Sequence, residues 1–276
     1  MKKIISIAFV AALGFSMFAA DIFTYVPLKG EVRTYTKTEY SIASKFGNYF
    51  RTPSLKTKHL FENGKEIESS EVTPKEILQN KITSVYDESG KLREQSYINS
   101  ESELVWKHSY VYNSEGLKSE VSEFDAKNTL KSKTIYIYDR GNLVDETIYD
   151  SDGALVWKTT YKYNAMGTLE VLSEYSADGK LSSQETYAYN ELGGIDSITI
   201  YEKFNDSQTQ KVFRYGAENQ LGEITTYDNN KQVTNRLLIK YDADGNVARV
   251  SEYNVAEKFG TIVNELIAMS EYSYEF

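Results

Sequence analysis

Cysteine is absent from the 276 residues, and only 3 prolines and 2 histidines occur. Without cysteine there is no disulfide framework, no thiol chemistry and no acylated cysteine to act as a lipid anchor. His59 and His108 lie 49 residues apart, which argues against a histidine-rich metal site or a pair of acid–base imidazoles. No metal and no cofactor is expected. Basic residues are also few, 31 Lys and Arg against 40 Asp and Glu, a net charge of −9. Phosphate backbones repel that balance, so no nucleic-acid partner is expected.

What the chain has in excess is tyrosine, 23 residues, together with 16 glycines. Tyrosine favours pleated, half-buried surfaces, and the combination points to an all-β protein. Ahead of it stands a segment of another kind. Lys2 and Lys3 precede an apolar run from Ile4 to Phe18, then Ala19-Ala20 meets Asp21. These are the three parts of a secretory signal peptide, with cleavage expected after Ala20. Loss of Lys2 and Lys3 leaves 29 basic and 40 acidic residues, a mature charge of −11. The expected destination is the periplasm or cell surface, in preference to the outer membrane.

Tyrosine recurs at 86, 112, 138, 163, 189, 215 and 241, in steps of 26 residues with a single step of 25. A second aromatic series, Tyr97, Phe124, Tyr149, Tyr175, Tyr201, Tyr227 and Tyr253, falls between. Residues 86–254 therefore read as seven repeats of two half-units each. Residues 21–85 read as an N-terminal β cap with a degenerate copy at Phe61 to Ile67, and residues 255–276 as a C-terminal cap ending in a strand at Tyr272 to Phe276.

Each half-unit runs aromatic, Asp or Asn, two variable residues, Gly or Asn, one variable residue, aliphatic. Tyr86-Asp87-Glu88-Ser89-Gly90-Lys91-Leu92 is a clean copy. A type I turn favours Asp or Asn first, and a hairpin closed through a bulge needs a left-handed fourth residue, which Gly or Asn supplies cheaply. Gly90, Gly116, Gly153, Gly167, Gly179, Gly193 and Gly245 are the predicted structural turn glycines, joined by Asn128, Asn205 and Asn219. Lys231 breaks the rule, with Asn230 expected to take its place. In this geometry Tyr149 faces Leu155 and Tyr163 faces Leu169. The run from Leu155 to Tyr163 alternates as a half-buried strand. Val72 to Asn80 reads as a loop insertion with a helix-compatible piece at Lys75 to Leu78. Val255 to Ser270 reads as a long loop or a short helix at Val263 to Met269.

The Tyr-Asp-x-x-Gly-x-Leu copies resemble the YD-repeat, or rearrangement-hotspot-like, proteins of bacterial surfaces and toxins. The resemblance covers Phe61 to Asn254 and implies hairpins wound into a spiral sheet. The encapsulating role of the longest members does not transfer to so short a chain. About fourteen repeat strands at 4.8 Å would make a sheet roughly 67 Å long, and open sheets of more than about ten strands curl. The expected fold is an antiparallel meander of about 14 or more short strands in a single curled or spiral sheet, tyrosine inward. The rival is a transmembrane barrel, for which Tyr272-Ser273-Tyr274-Glu275-Phe276 resembles a closing strand. Against it, Lys or Arg at a bilayer midplane costs about 2 to 4 kcal/mol, and most strands fall short of the roughly 9 to 11 residues a span needs.

Trp106 and Trp157, with Tyr110 and Tyr161, are the candidate ligand-binding residues, since their rings could stack on sugars; as ladder members they would instead be core. Asp150-Ser151-Asp152-Gly153 has calcium-loop spacing but lacks the bidentate Glu, and the turn alone explains it. The breaks in the pattern, Lys231, Tyr97 to Glu103 and Val255 to Ser270, hold no recognisable catalytic set, so no catalytic residues are expected. The function expected is non-enzymatic: a binding or structural scaffold at the bacterial envelope or cell surface, for a glycan, an envelope or host protein, or its own kind through open sheet edges. The alternatives are a glycan hydrolase using Asp and Glu, or an outer-membrane barrel component.

Overall fold

The computed structural model describes residues 22–276 apart from 46 and 259; the signal peptide read at 1–20 lies outside the described residues. After one turn of 3-10 helix (Ile22–Thr24) come eighteen strands. The first group is β1 (Thr34–Lys45), β2 (Asn48–Glu62), β3 (Lys65–Val72), β4 (Leu78–Tyr86), β5 (Leu92–Asn99) and β6 (Leu104–Tyr112). The middle group is β7 (Lys118–Asp125), β8 (Leu130–Asp139), β9 (Asn142–Asp150), β10 (Leu155–Tyr163), β11 (Leu169–Ser176) and β12 (Leu181–Tyr189). The last is β13 (Ile195–Glu202), β14 (Ser207–Tyr215), β15 (Leu221–Tyr227), β16 (Val233–Tyr241), β17 (Val247–Lys258) and β18 (Thr261–Glu275).

Turn chemistry builds these hairpins as the sequence predicts. Asp150 Oδ1 accepts the backbone N–H groups of Asp152 at 2.9 Å and Ala154 at 2.8 Å, so its carboxylate serves the turn. All seven predicted turn glycines have φ between +75° and +82°, and Asn128 and Asn219 are left-handed too. Tyr149 pairs with Leu155 and Tyr163 with Leu169, each beside a register shift.

Several readings are corrected. At Tyr201 to Ser207 the left-handed residue is Asp206, with φ +50°, in place of Asn205. Lys231 itself takes φ +60°, and Asn230 does not stand in for it. Thr73 to Ile77 is an ordinary hairpin turn with Glu76 left-handed, so there is neither insertion nor helix before β4. Val255 to Lys258 lies in β17 and Thr261 to Ser270 in β18, and the two strands pair through Lys258 and Thr261. Leu155 departs from the face of Trp157, because the bulge at Val156 leaves it opposite Tyr149 while Trp157 pairs with Ile148.

The principal correction concerns closure. Every strand pairs antiparallel with its sequence neighbours, and β1 also pairs with β18, from Thr34↔Glu275 to Ser41↔Ala268. The sheet is a closed up-and-down barrel of eighteen strands, not an open curled or spiral one. Closure removes both edges, which in an open sheet would present unpaired N–H and C=O groups. Among the described residues, unpaired strand edges are then left where β1, β2, β17 and β18 extend beyond their neighbours on one rim.

The N-terminal segment identifies the inner face. The Phe23 ring lies 5.6 Å from that of Tyr272 on β18, and the Tyr25 ring 5.1 Å from that of Phe213 on β14. These strands are four spacings apart, about 19 Å along the wall. Side chains two residues apart reach both only from the concave side. Ile22 and Val26 pack there with Ile198, Phe213, Leu221, Ile224, Ile239 and Val247, and form the apolar core. The register then places the first tyrosine series inside and Phe124, Tyr149, Tyr175, Tyr201, Tyr227 and Tyr253 outside. Of the two series, the first is inward throughout and the second only at Tyr97, which pairs with Trp106.

Between Val72 on β3 and Ile198 on β13 no apolar side chain among the described residues is buried. Barrels of 16 to 18 strands enclose an aqueous channel, and the inner wall of β4 to β12 accordingly faces water. The outer wall is polar at mid-strand. Lys133 lies 2.9 Å from Glu120, Lys158 2.5 Å from Asp145 and Lys81 3.3 Å from Glu68, with Ser122 and Thr147 buried beside such pairs.

Candidate functional site

The inner wall repeats in columns, and two columns are interrupted. Opposite the first-series tyrosines stand Leu92, Leu143, Leu169, Ile195, Leu221 and Val247, but opposite Tyr112 stands Lys118. The column that holds Val121, Leu172, Ile198, Ile224 and Val250 carries Gln95 on β5 and Glu146 on β9. From β11 to β17 the repeat has aliphatics at both positions; β5 has Gln95 at the second, and only β7 and β9 bring a charge, a cation and a carboxylate.

These two residues share one patch. Lys118 Nζ sits 4.0 Å from the centroid of the Tyr136 ring, a cation–π contact. Glu146, only 7% exposed, pairs across the strands with Tyr136 and Thr159 and accepts a hydrogen bond from the Tyr161 hydroxyl at 3.0 Å. Burial raises the Glu146 carboxyl above the ordinary range, against the pull of Tyr161 and the Lys118 charge. Burial lowers Lys118, and Glu146 opposes that shift. Each charge thus partly offsets the desolvation of the other. Desolvation, reinforced by Glu146, also raises the Tyr136 and Tyr161 phenols, which remain protonated donors.

A second cluster lies on β5 to β7. The Tyr97 and Trp106 rings stack at 5.4 Å with planes 6° apart, and His108 stacks on Trp106 at 4.2 Å. His108 is buried and contacts Glu123 at 3.3 Å. The contact holds the Glu123 carboxyl below its ordinary range. Tyr110 donates to Gln95, and its phenol is pushed up to about 12, chiefly by burial.

All four candidate binding residues therefore stand on the inner wall, half-buried and outside the apolar core. Trp106 and Tyr110 flank His108 on β6, and Trp157 and Tyr161 flank Thr159 on β10, so the two tryptophans are four strands apart. Tyr161 joins Glu146; Trp157 pairs with Ile148 and Ser176. Sequence reasoning passed over Lys118, Glu146 and the N-terminal segment. Aligning the columns reveals the first two as departures from an aliphatic consensus. No group of three side chains suited to hold a metal lies together among the described residues.

No protein-family model and no curated protein matches this sequence. Among solved structures, a porin-like protein from Bacteroides uniformis ATCC 8492 is similar at 13% identity and a TM-score of 0.48, over 88% of this chain and 98% of that one. A porin-like protein from Bacteroides vulgatus ATCC 8482 is similar at 13% identity and a TM-score of 0.34, over 77% of this chain and 98% of that one. The TcdB2-TccC3-Cdc42 structure is similar over 78% of this chain and 16% of that one, at 13% identity and a TM-score of 0.31.

Proposed function

We propose that this chain is an exported envelope protein, a non-enzymatic hollow barrel whose lumen receives a polar, sugar-like solute against the wall from β6 to β11. The observation that carries the reading is the Lys118–Glu146 patch, with Glu146 buried, set between half-buried aromatic rings on a wall that faces water. Carboxylates and hydroxyls that fix orientation beside aromatic rings that cover apolar faces are the usual means of holding such a ligand. The barrel belongs to the envelope on the strength of the segment from Lys2 to Ala20. Calorimetric titration of the mature chain with neutral and acidic oligosaccharides tests the proposal. Binding that weakens at least tenfold in Trp157→Ala and Glu146→Gln supports it; no binding across the panel, or binding unaffected by either change, overturns it.

A second reading, an outer-membrane pore, is favoured by the closed wall and by the outward aromatic row from Phe124 to Tyr253 along one rim, which resembles an interfacial girdle. The outward ion pairs disfavour it, because they would lie within the hydrocarbon. Resistance to alkaline extraction from membranes, with channel conductance in planar bilayers, would select the pore; release by alkali would select the water-filled binding barrel.

A further inference from the structure

Four strands outrun the wall. β2 meets β3 only from Lys56 onward, so Asn48 to Leu55 rise past it, about 26 Å at 3.3 Å per residue. β17 likewise passes the last β16 pair, Asn235↔Asn254, by the four residues Val255 to Lys258. The β1–β2 and β17–β18 hairpins stand side by side on one rim, joined where Leu266 N–H donates to the Tyr49 hydroxyl at 3.3 Å. The two connections have the same sequence, Lys45-Phe46-Gly47 and Lys258-Phe259-Gly260, and both glycines are left-handed, with φ +78° and +74°.

These hairpins expose apolar side chains: Phe50 is 56% exposed, Tyr49 45% and Ile262 71%. Tyr49 and Phe50 are successive residues, so they face opposite sides of the ribbon. A ribbon docked flat on a protein would be apolar on one side only. Apolar residues on both sides suit a medium that surrounds the tip. Charge agrees with this on the β1–β2 tip, where residues 42–52 contain Lys45 and Arg51 and no acid in a chain of net charge −9. On the β17–β18 tip Lys258 is paired with Glu265 beside Glu257, so the β1–β2 tip supplies the cations. The acidic body would be repelled by an anionic leaflet while this end is drawn to it.

We propose that the paired β1–β2 and β17–β18 tips are an interfacial anchor that seats the barrel end-on against an anionic lipid surface. Aromatic and aliphatic side chains flanked by cations bind at that depth without spanning the bilayer. The inference is independent of what the lumen binds.

Flotation of the full chain with phosphatidylglycerol–phosphatidylcholine vesicles, against phosphatidylcholine alone, tests it. Wild type should float with the anionic vesicles, and Phe50→Ser/Ile262→Ser should lower the bound fraction at least tenfold with an unchanged circular dichroism spectrum. Should that variant not fold, Tyr49→Trp supplies the measurement: its emission should shift to the blue on binding and be quenched by brominated lipid. Absence of wild-type flotation, full binding by the double variant, or an unquenched Tyr49→Trp would each overturn the proposal. A wild-type dimer that the double variant converts to monomer, without vesicle binding, would assign the tips to a second copy of the chain instead.

Discussion

The Tyr112 hydroxyl donates to the Leu92 carbonyl oxygen at 2.8 Å, across a gap that the backbone ladder leaves open. Pairing of β5 with β6 stops at Glu94↔Ser109, two residues short of that rim. The same bond, always twenty residues back, joins Tyr163 to Leu143, Tyr189 to Leu169, Tyr215 to Ile195 and Tyr241 to Leu221. Each of these tyrosines thus ties its hairpin to the one before it. Tyr163→Phe keeps the ring and deletes the bond, so it should cost about 0.5 to 1.5 kcal/mol. Urea unfolding measures this, and a midpoint equal to wild type would deny the hydroxyl any part in rim closure.

The apolar core is one-sided, and truncations should reveal it. Phe213, 3% exposed beneath Tyr25, should cost about 3 to 5 kcal/mol when replaced by alanine. Trp157→Ala, on the open wall, should cost far less. Similar losses for both variants in the same unfolding assay would show that the N-terminal segment does not seal the wall from β13 to β18.

Lys118 and Glu146 should be coupled. Lys118→Leu restores the repeat consensus yet leaves Glu146 buried without its cation, while Lys118→Leu/Glu146→Leu restores both columns. A double-mutant cycle at neutral pH should give a coupling of about 0.5 to 3 kcal/mol. The single variant has a predictable pH response, because burial raises the folded carboxyl above its unfolded value of about 4.3. Its penalty is absent below that value and grows as pH rises through it toward the raised one. Lys118→Leu should therefore lose less stability at pH 4 than at pH 7, and equal losses would contradict the burial of Glu146.

The turn carboxylates should govern acid unfolding. Asp125 is held down to about 2, first by the Thr129 backbone N–H and then by Lys131. A carboxyl lowered from about 3.9 stabilises the fold fully above that pH. The contribution is lost as pH falls toward about 2. Asn occupies the same turn position at Asn113 and accepts the same two N–H bonds. Asp125→Asn should therefore flatten this part of the thermal midpoint profile, and Asp125→Ala should lower the midpoint at neutral pH. An unchanged acid profile in Asp125→Asn would remove Asp125 as a cause.

Left-handed positions should respond in opposite senses. Gly167, with φ +78°, cannot accept a β-branched side chain without strain, so Gly167→Val should cost about 1 to 3 kcal/mol. Lys231, with φ +60°, already bears that strain, so Lys231→Gly should gain about 1 kcal/mol. Thermal unfolding of both variants checks the signs, and a destabilised Lys231→Gly would show that its side chain contributes more than the turn strain costs.

Much of this architecture was legible residue by residue. Gly90 to Gly245 and the pairing of Tyr149 with Leu155 are contained within seven-residue windows, where Asx bonds and φ > 0 leave few alternatives. Asn205 and Asn230 were misjudged because neighbours one residue away accept the left-handed state when the register demands it. Val255 to Ser270 has the composition of a strand pair but no repeat spacing, so it was the pairing of β17 with β18, joined by β1 only at Ala268 to Ser270, that made it extended. The four aromatic candidates were visible as residue types, whereas Lys118 and Glu146 stand out only once the strands are aligned in columns.

The sequence by itself determined the all-β class, the 26-residue period and the hairpins, because those depend on hydrogen bonds between residues a few positions apart. Tertiary structure alone decided closure, the lumen and the side on which tyrosine lies. Closure requires Thr34 to Ser41 to meet Ala268 to Glu275, segments more than 220 residues apart. No local preference encodes that meeting. Satisfying two otherwise unpaired edges at once, over a concave face that the N-terminal segment fills, is a property of the assembled sheet.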